Sequence, residues 1–538
     1  MATSTDTSLA ELLIPLLNQV MQVLREMVPL IPTYTHLIAS AVFPIYTASH
    51  ASLTRPSSAA APTTSEGEEK KSQLIEGLTP GDALVFPLLA GGILASLYFL
   101  LKWLQDPYWV NTLLSLYFAW TGLFFAFKFL RDVLYTLRSL VFPSTYSSAR
   151  GRQVWKAEPA KRAYTTASGL ETSSPLPGFL RHIPLGRRVS AWVWRARGLL
   201  STPAALHLGI GSLVQVDTTI TLVDVVALVV SCGVVAVHTF VAKPWYLTNF
   251  LGFSFSYGAL QFMTPTTGWT GTLVLSALFV YDIYFVFFTP MMVTVATKLD
   301  VPIKLLFPQP DGCVLPPSGT AEDSAVMQAY RECLAKKRAM AMLGLGDIVV
   351  PGMMIAFALR FDLFLHYRQL ARKSSTETTP TTSNGKTETV KAEYRSATGA
   401  WGERFWTAKT AWSEQLQAKS FRKRYFYATL AGYVAGLAVT LVALQVMQHG
   451  QPALLYLVPG VLGMFWGTAL LRGELKTLWN FSEAEEDEDS KEDEKTKVED
   501  AEGERPSSQK LVDFSISLLT AGDASDNLPA ITAPSSVD

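Results

Sequence analysis

The sequence predicts an all-α protein, a polytopic membrane helix bundle with nine transmembrane helices. The chain of 538 residues is 49% hydrophobic and only 17% charged, and its mean hydropathy is positive. Because it also carries long polar stretches, the apolar residues must be gathered in blocks. Nine of these blocks reach the ~20 residues that a spanning helix needs. The formal net charge of +0 says nothing about partners, because charge is segregated along the chain.

The elements follow in order. Residues 1–27 contain LAELLIPLLNQVMQVLREM, which reads as an amphipathic helix lying at the membrane interface. The N-terminus lacks a basic n-region followed by an apolar run, so no cleavable signal peptide is expected. Spans are expected near 28–48, 83–103, 109–130, 221–241 and 245–264, which make residues 28–264 a first group of membrane helices. The second group, 265–480, carries spans near 270–290, 341–360, 426–447 and 452–471. Glycine and proline within spans are tolerated where neighbours satisfy the freed backbone. The Ser/Ala/Thr/Pro-rich loop 51–75 is expected to be disordered. The loop 131–220 is basic over 131–200, and the loop 361–425 is basic with a flexible Ser/Thr-rich stretch. With nine spans, both basic loops fall on the side of the C-terminus. The positive-inside rule then places that side in the cytosol and the N-terminus in the lumen. The tail 481–538 opens with an acidic run and is expected to be a solvated, disordered cytosolic segment.

Several chemistries are not supported. The three cysteines form neither a zinc pattern nor a disulfide framework. Cys313 and Cys333 share one loop and could pair if that loop is lumenal. No HExxH, GxSG, Walker A or GxGxxG signature is present, and the basic loops carry no nucleic-acid-binding motif. No metal and no cofactor are expected.

Two carboxylates stand where carboxylates are costly. Asp282 lies in GTLVLSALFVYDIYFVFF and Asp347 in AMLGLGDIVVPGMMIAFAL. A charged group at the bilayer centre costs about 2.5–3.5 kcal/mol on insertion scales. One such residue is most simply an interhelical hydrogen bond. A pair on consecutive spans of opposite direction, roughly 12 Å and 9 Å from the ends joined by their loop, can meet at similar depth. Two adjacent carboxyls do not both ionise readily, so one can act as base on a water while the other polarises a carbonyl. Tyr281 adjoins Asp282 and is expected to hydrogen-bond within the site. Gly344, Leu345 and Gly346 precede Asp347, and the glycines allow another backbone to approach closely. Gln451, Pro452, Ala453 and Leu454 open the last span, where proline is expected to leave carbonyls free at membrane depth. An ion-coupled transporter or channel would use the same pair as a proton or cation site. Such proteins often repeat half of their fold, and no repeat is visible here.

Tyr281–Asp282, Gly344–Asp347 and Gln451–Leu455, in this order, resemble the motifs of the presenilin-type intramembrane aspartyl proteases. The longer strings YDIYFVFF, PIKLLFPQ, MLGLGDIVVPG and QPALLYLVP are most similar to its signal peptide peptidase branch. The resemblance covers roughly 80–480. It implies that Asp282 and Asp347 are the catalytic pair of an aspartic endopeptidase, and that Pro452, Ala453 and Leu454 shape the site. It also implies a multi-pass endoplasmic reticulum enzyme with a lumenal N-terminus and cytosolic C-terminus. Its substrates would be transmembrane segments of type II orientation, such as remnant signal peptides. The expected partners are these substrates and the lipid bilayer, with a second copy or reticulum quality-control proteins as candidates, and no nucleic acid.

Overall fold

The computed structural model describes residues 28–60, 76–104, 108–147, 153–210, 214–299, 304–309, 313, 325–335, 340–377, 391–413, 416–417, 419–447, 450–483 and 513–518. The expected amphipathic segment 1–27, the stretches 61–75 and 378–390, and most of the acidic tail lie outside them. The helices are α1 (Ile31–Ala51), α2 (Asp82–Leu104), α3 (Tyr108–Val141), α4 (Arg187–Ser201), α5 (Leu222–Ala236), α6 (Trp245–Phe262), α7 (Gly268–Phe287), α8 (Met291–Lys298), α9 (Ala325–Ala335), α10 (Gly346–Glu377), α11 (Trp401–Trp406), α12 (Arg424–Met447), α13 (Leu454–Leu471) and α14 (Leu475–Trp479).

Among the described residues, eight helices are long and apolar enough to cross a membrane: α1, α2, α3, α5 with its extension to Val241, α7, α10, α12 and α13. The remaining expected span, 245–264, is helix α6. Thr248, Asn249, Ser254, Ser256 and Gln261 are buried along it, where it packs on α1, α3 and α10. Its apolar density is low because its neighbours are protein. Apolar length alone therefore supports eight crossings.

The core centres on α10. Ile355, Phe357, Leu359 and Phe361 are each 0% exposed, as expected of a helix that is hydrophobic all round. Helices α1, α6, α7, α12 and α13 surround it. The outer helices α2, α3 and α5 instead expose Leu88, Trp103, Trp120 and Val229, the surface a bilayer would cover. Helices α12 and α13 approach closely through glycine. A Cβ at Gly436 would lie 2.7 Å from the Tyr456 carbonyl oxygen, so a larger residue would force these helices apart. Asp224 sits in the first turn of α5, in a capping box with Thr221 and 2.7 Å from Arg131 Nε.

The strands are short: β1 (Glu76–Leu78), β2 (Thr145–Ser147), β3 (Val154–Glu158), β4 (Ala163–Thr166), β5 (Glu171–Thr172), β6 (Ala204–Ile210), β7 (Val214–Ile220), β8 (Met263–Pro265), β9 (Lys304–Pro308), β10 (Met340–Gly344) and β11 (Asp513–Leu518). β1 pairs in parallel with β8, and β9 pairs antiparallel with β10. The basic loop 131–220 is more ordered than its composition suggests. β2 to β5 form an antiparallel meander over a small aromatic core of Tyr146, Trp155, Tyr164 and Trp194. Arg197 is buried there, donating to the Tyr164 hydroxyl at 2.5 Å and the Pro143 carbonyl at 2.9 Å.

The second basic loop docks onto the first. The Gly402 N–H donates to Ser139 Oγ at 3.0 Å, and Trp406 Nε1 donates to the Leu140 carbonyl at 2.7 Å. Two segments expected to be disordered also contribute. The Ser58 hydroxyl, from the 51–75 loop, donates to the Phe364 carbonyl at 2.9 Å, and β11, from the tail, pairs with β6. In each case tertiary pairing supplies what local composition does not.

Candidate active site

Asp282 is buried because of where it falls on α7. Gly271, Leu275, Leu278 and Asp282 recur at helical spacing along the buried face of that helix. The carboxylate thus enters the bundle on the same stripe as its apolar neighbours, and it is 4% exposed.

Asp347 arrives by another route. The sequence suggested a span from 341, but residues 340–344 form strand β10 and the helix begins only at Gly346. Pairing with β9 draws this stretch into a strand, and the glycines do not oppose it. The chain turns at Leu345, whose carbonyl accepts from the N–H groups of Ile348 and Val349 at 3.1 and 2.9 Å. Asp347 therefore stands in the first turn of α10, where the helix dipole favours an acidic group. A Cβ at Gly344 would lie 3.4 Å from Asp347 Oδ2, so the glycine leaves room for the carboxylate. No heavy atom lies within 4 Å of the equivalent point on Gly346, which is open. The Leu345 side chain packs towards Gly252 on α6.

The third motif joins the first. The backbone N–H of Leu454, the first residue of α13, donates to Asp282 Oδ2 at 3.0 Å. An N-terminal helical amide has no partner within its own helix, and here a side chain from α7 supplies it. The Pro452 carbonyl is not left free as expected. It accepts from Leu455 N–H at 3.2 Å, and the Ala453 carbonyl accepts from Tyr456 and Leu457, each at 3.2 Å. The contribution of Gln451–Leu454 is thus a donor placed on Asp282.

The two carboxylates are near enough for the charge of Asp282 to act on Asp347. Tyr281 takes no hydrogen bond among the described residues. Its ring lies against Phe285, 4.6 Å between centroids, and faces Gly91 of α2.

Two residues not singled out from the sequence also belong to this region. Tyr433 on α12 is 0% exposed, its hydroxyl has no hydrogen-bond partner among the described residues, and the charge of Asp347 reaches it. Asn249 on α6 holds the outer edge of β9. Its side-chain amide donates to the Leu306 carbonyl at 2.9 Å, and its side-chain oxygen accepts from Leu306 N–H at 2.7 Å. β9 is thereby held on both sides, by Asn249 and by β10. The other edge of β10, which runs into Gly344, has no strand beside it among the described residues. Neither residue has a local signature, because each takes its meaning from a partner on another element.

A disulfide joins Cys313 to Cys333 of α9, with Cα atoms 5.8 Å apart. It closes part of the connection between β9 and β10.

A model of the family described as signal peptide peptidase matches residues 70–485. The signal peptide peptidase of Mus musculus is 27% identical over 416 residues, 77% of this chain and 76% of that protein. The Homo sapiens protein of the same name is 26% identical over 413 residues, with the same coverage of 77% and 76%. Intramembrane protease 2 of Caenorhabditis elegans is 31% identical over 261 residues, 48% of this chain and 43% of that protein.

Proposed function

Because this chain belongs to the signal peptide peptidase family and is an intramembrane aspartic endopeptidase acting on transmembrane substrates, we propose that Asp282 and Asp347 are its catalytic pair. The observation that carries this is the convergence of three separate segments on one point: Asp282 bound by the Leu454 amide, with Asp347 within reach of its charge. The relatives lend no support to a transporter.

In the proposed reaction, a water oxygen bonds to the substrate carbonyl carbon while the ionised carboxylate takes its proton. The protonated carboxyl gives its proton to the carbonyl oxygen. When the tetrahedral diol collapses, the C–N bond breaks, the departing nitrogen takes the proton held by one carboxyl, and a diol hydroxyl gives its proton to the other carboxylate, so that the pair again holds one. The substrate helix must first unwind, since each of its carbonyls is held by its own hydrogen bond. The uncovered edge of β10 supports a site for the unwound segment as an added strand leading to Asp347.

The substrates are type II oriented segments, remnant signal peptides among them, and the enzyme resides in the endoplasmic reticulum. The N-terminus is lumenal and the C-terminus cytosolic. The Cys313–Cys333 disulfide supports placing the β9–β10 connection in an oxidising compartment, on the side opposite the basic loops. The test is to present purified protein with labelled signal peptides, wild type beside Asp347→Ala, and to map tagged termini in sealed microsomes. The expected result is cleavage by wild type alone, with only the N-terminal tag protected. Cleavage by both proteins would reject the catalytic pair, and a protected C-terminal tag would invert the topology.

A further inference from the structure

Between Glu171 and Asp217 the chain carries five arginines and no acidic residue. Four of the arginines lie on α4, and the two faces of that helix differ. Trp194 and Arg197 are each 5% exposed. Trp194 joins the small aromatic core, and Arg197 donates to Tyr164 and Pro143 there. Arg188, Trp192, Arg195 and Leu199 recur at i, i+4, i+7 and i+11, which sets them on one stripe opposite that buried pair. All four are exposed, Trp192 by 68% and Leu199 by 65%. An indole and a leucine therefore stand open between two guanidiniums.

The far end of α4 is held close to the membrane helices. Arg138, in the last turn of α3, donates from Nη1 to the Leu200 carbonyl at 2.9 Å, and α4 also packs on α5. The chain leaves one apolar helix at Val141 and enters the next at Leu222, so α4 sits on the side where these two ends lie. The apolar run of α3 stops at Leu130. Arg138 stands roughly 12 Å further along the helix axis, at about the outer limit of a headgroup layer.

We infer that the Arg188–Trp192–Arg195–Leu199 stripe docks on the anionic phospholipid headgroups of the bilayer that the protein spans. The mixture of residue types suits that zone. Indole rings favour headgroup depth. Arginine lays its apolar stem along the same surface while its guanidinium grips phosphate oxygens in pairs. Charge alone would also suit the acidic run 483–495 of this chain, but that run has one apolar residue, Ala484, and offers nothing to Trp192 and Leu199. With the topology proposed above, the surface met is the cytosolic leaflet, where anionic lipids attract basic side chains. The docking itself rests neither on that orientation nor on the catalytic aspartates.

Full-length protein is placed in nanodiscs of phosphatidylcholine alone or of phosphatidylcholine with phosphatidylserine. Hydroxyl-radical oxidation of single residues is then followed by mass spectrometry. Trp192 is expected to oxidise several-fold more slowly in the phosphatidylserine discs, and added salt should remove the difference. Trp120, on the apolar run of α3, serves as the reference and should be slow in both. Arg188→Gln with Arg195→Gln leaves the buried face of α4 untouched. It should weaken docking roughly thirtyfold, the usual worth of two basic side chains beside an anionic leaflet, and return Trp192 to its rate in phosphatidylcholine. Equal oxidation of Trp192 in the two lipid compositions overturns the proposal. So does a slowing that survives in the double variant, which would mean that something other than anionic lipid covers the stripe.

Discussion

The Leu454 amide and the Asp282 carboxylate are joined by a 3.0 Å hydrogen bond between the start of α13 and the buried face of α7. It ties the last membrane helix to the candidate catalytic centre and gives the Gln451–Leu454 motif a specific task. The motif ends one helix start at the right height, and the first free amide there falls on a carboxylate.

Pro452 sets that height. It is buried, and its ring holds the backbone just before α13 while removing a donor. Pro452→Leu would restore an N–H and allow the helix to begin earlier, moving the Leu454 amide off Asp282. The expected outcome is a fall in kcat of about tenfold, on the scale of one charged hydrogen bond, with the fold retained. Steady-state kinetics of the purified variant, beside its thermal unfolding curve, measure this.

Tyr433 offers a second probe. Its hydroxyl is buried without a partner among the described residues, within reach of the charge of Asp347. If it serves the chemistry by donating to the carboxyl or to the developing oxyanion, Tyr433→Phe should lower kcat by about ten- to a hundredfold and leave KM unchanged. Stability should be unchanged or slightly higher, because an unsatisfied buried hydroxyl is lost. A fully active, more stable Phe variant would show that the hydroxyl only fills space.

Asn249 tests the hairpin. Asn249→Leu keeps the size of the side chain but strands both the N–H and the carbonyl of Leu306. Leaving two half-buried backbone groups unpaired should cost about 1–3 kcal/mol. Hydrogen exchange is expected to quicken across β9 and β10, and cleavage to slow, because β10 leads directly into Gly344 and Asp347. Unchanged exchange in β10 would show that the hairpin does not depend on α6.

Lys423, just before α12, gives stability a pH dependence. Burial is the main cause, with Arg404 adding and Asp362 opposing, and together they push its ammonium down to about 8 from the ordinary 10.5. Between these values the unfolded chain holds a proton that the folded chain has released, so stability should rise with pH from about 8 to 10.5. Lys423→Gln should flatten that rise in an unfolding-temperature profile and be neutral or stabilising at pH 7.

Much of the site was legible from the sequence because its signals are local. An aspartate within an apolar run is conspicuous whatever surrounds it, and Asp282 and Asp347 both lie where that signal points. What was not legible depends on partners. The amide of Leu454 acquires a role only once α7 lies against α13. Asn249 reads as one polar residue in a weak span until Leu306 is seen beside it, and the same polar residues explain why α6 falls short of the apolar length expected of a ninth crossing. Met340–Gly344 is apolar enough to begin a helix, and its pairing with Lys304–Pro308 makes it a strand. The two basic loops carry no long apolar run. Their small core of Tyr146, Trp155, Tyr164 and Trp194 is assembled from residues scattered over some fifty positions.

The central claim is that Asp282 and Asp347 share the proton chemistry of peptide hydrolysis. Asparagine at either position keeps the shape and the capacity to accept a hydrogen bond, but it cannot take a proton from water near neutral pH. The most direct measurement is the rate at which purified Asp282→Asn and Asp347→Asn each cleave a labelled signal peptide, beside wild type of matched unfolding temperature. Loss of general acid–base action predicts a fall of at least a hundredfold for each, the lower end of its usual ~10²–10⁴. Turnover by either variant within a few-fold of wild type would contradict the account.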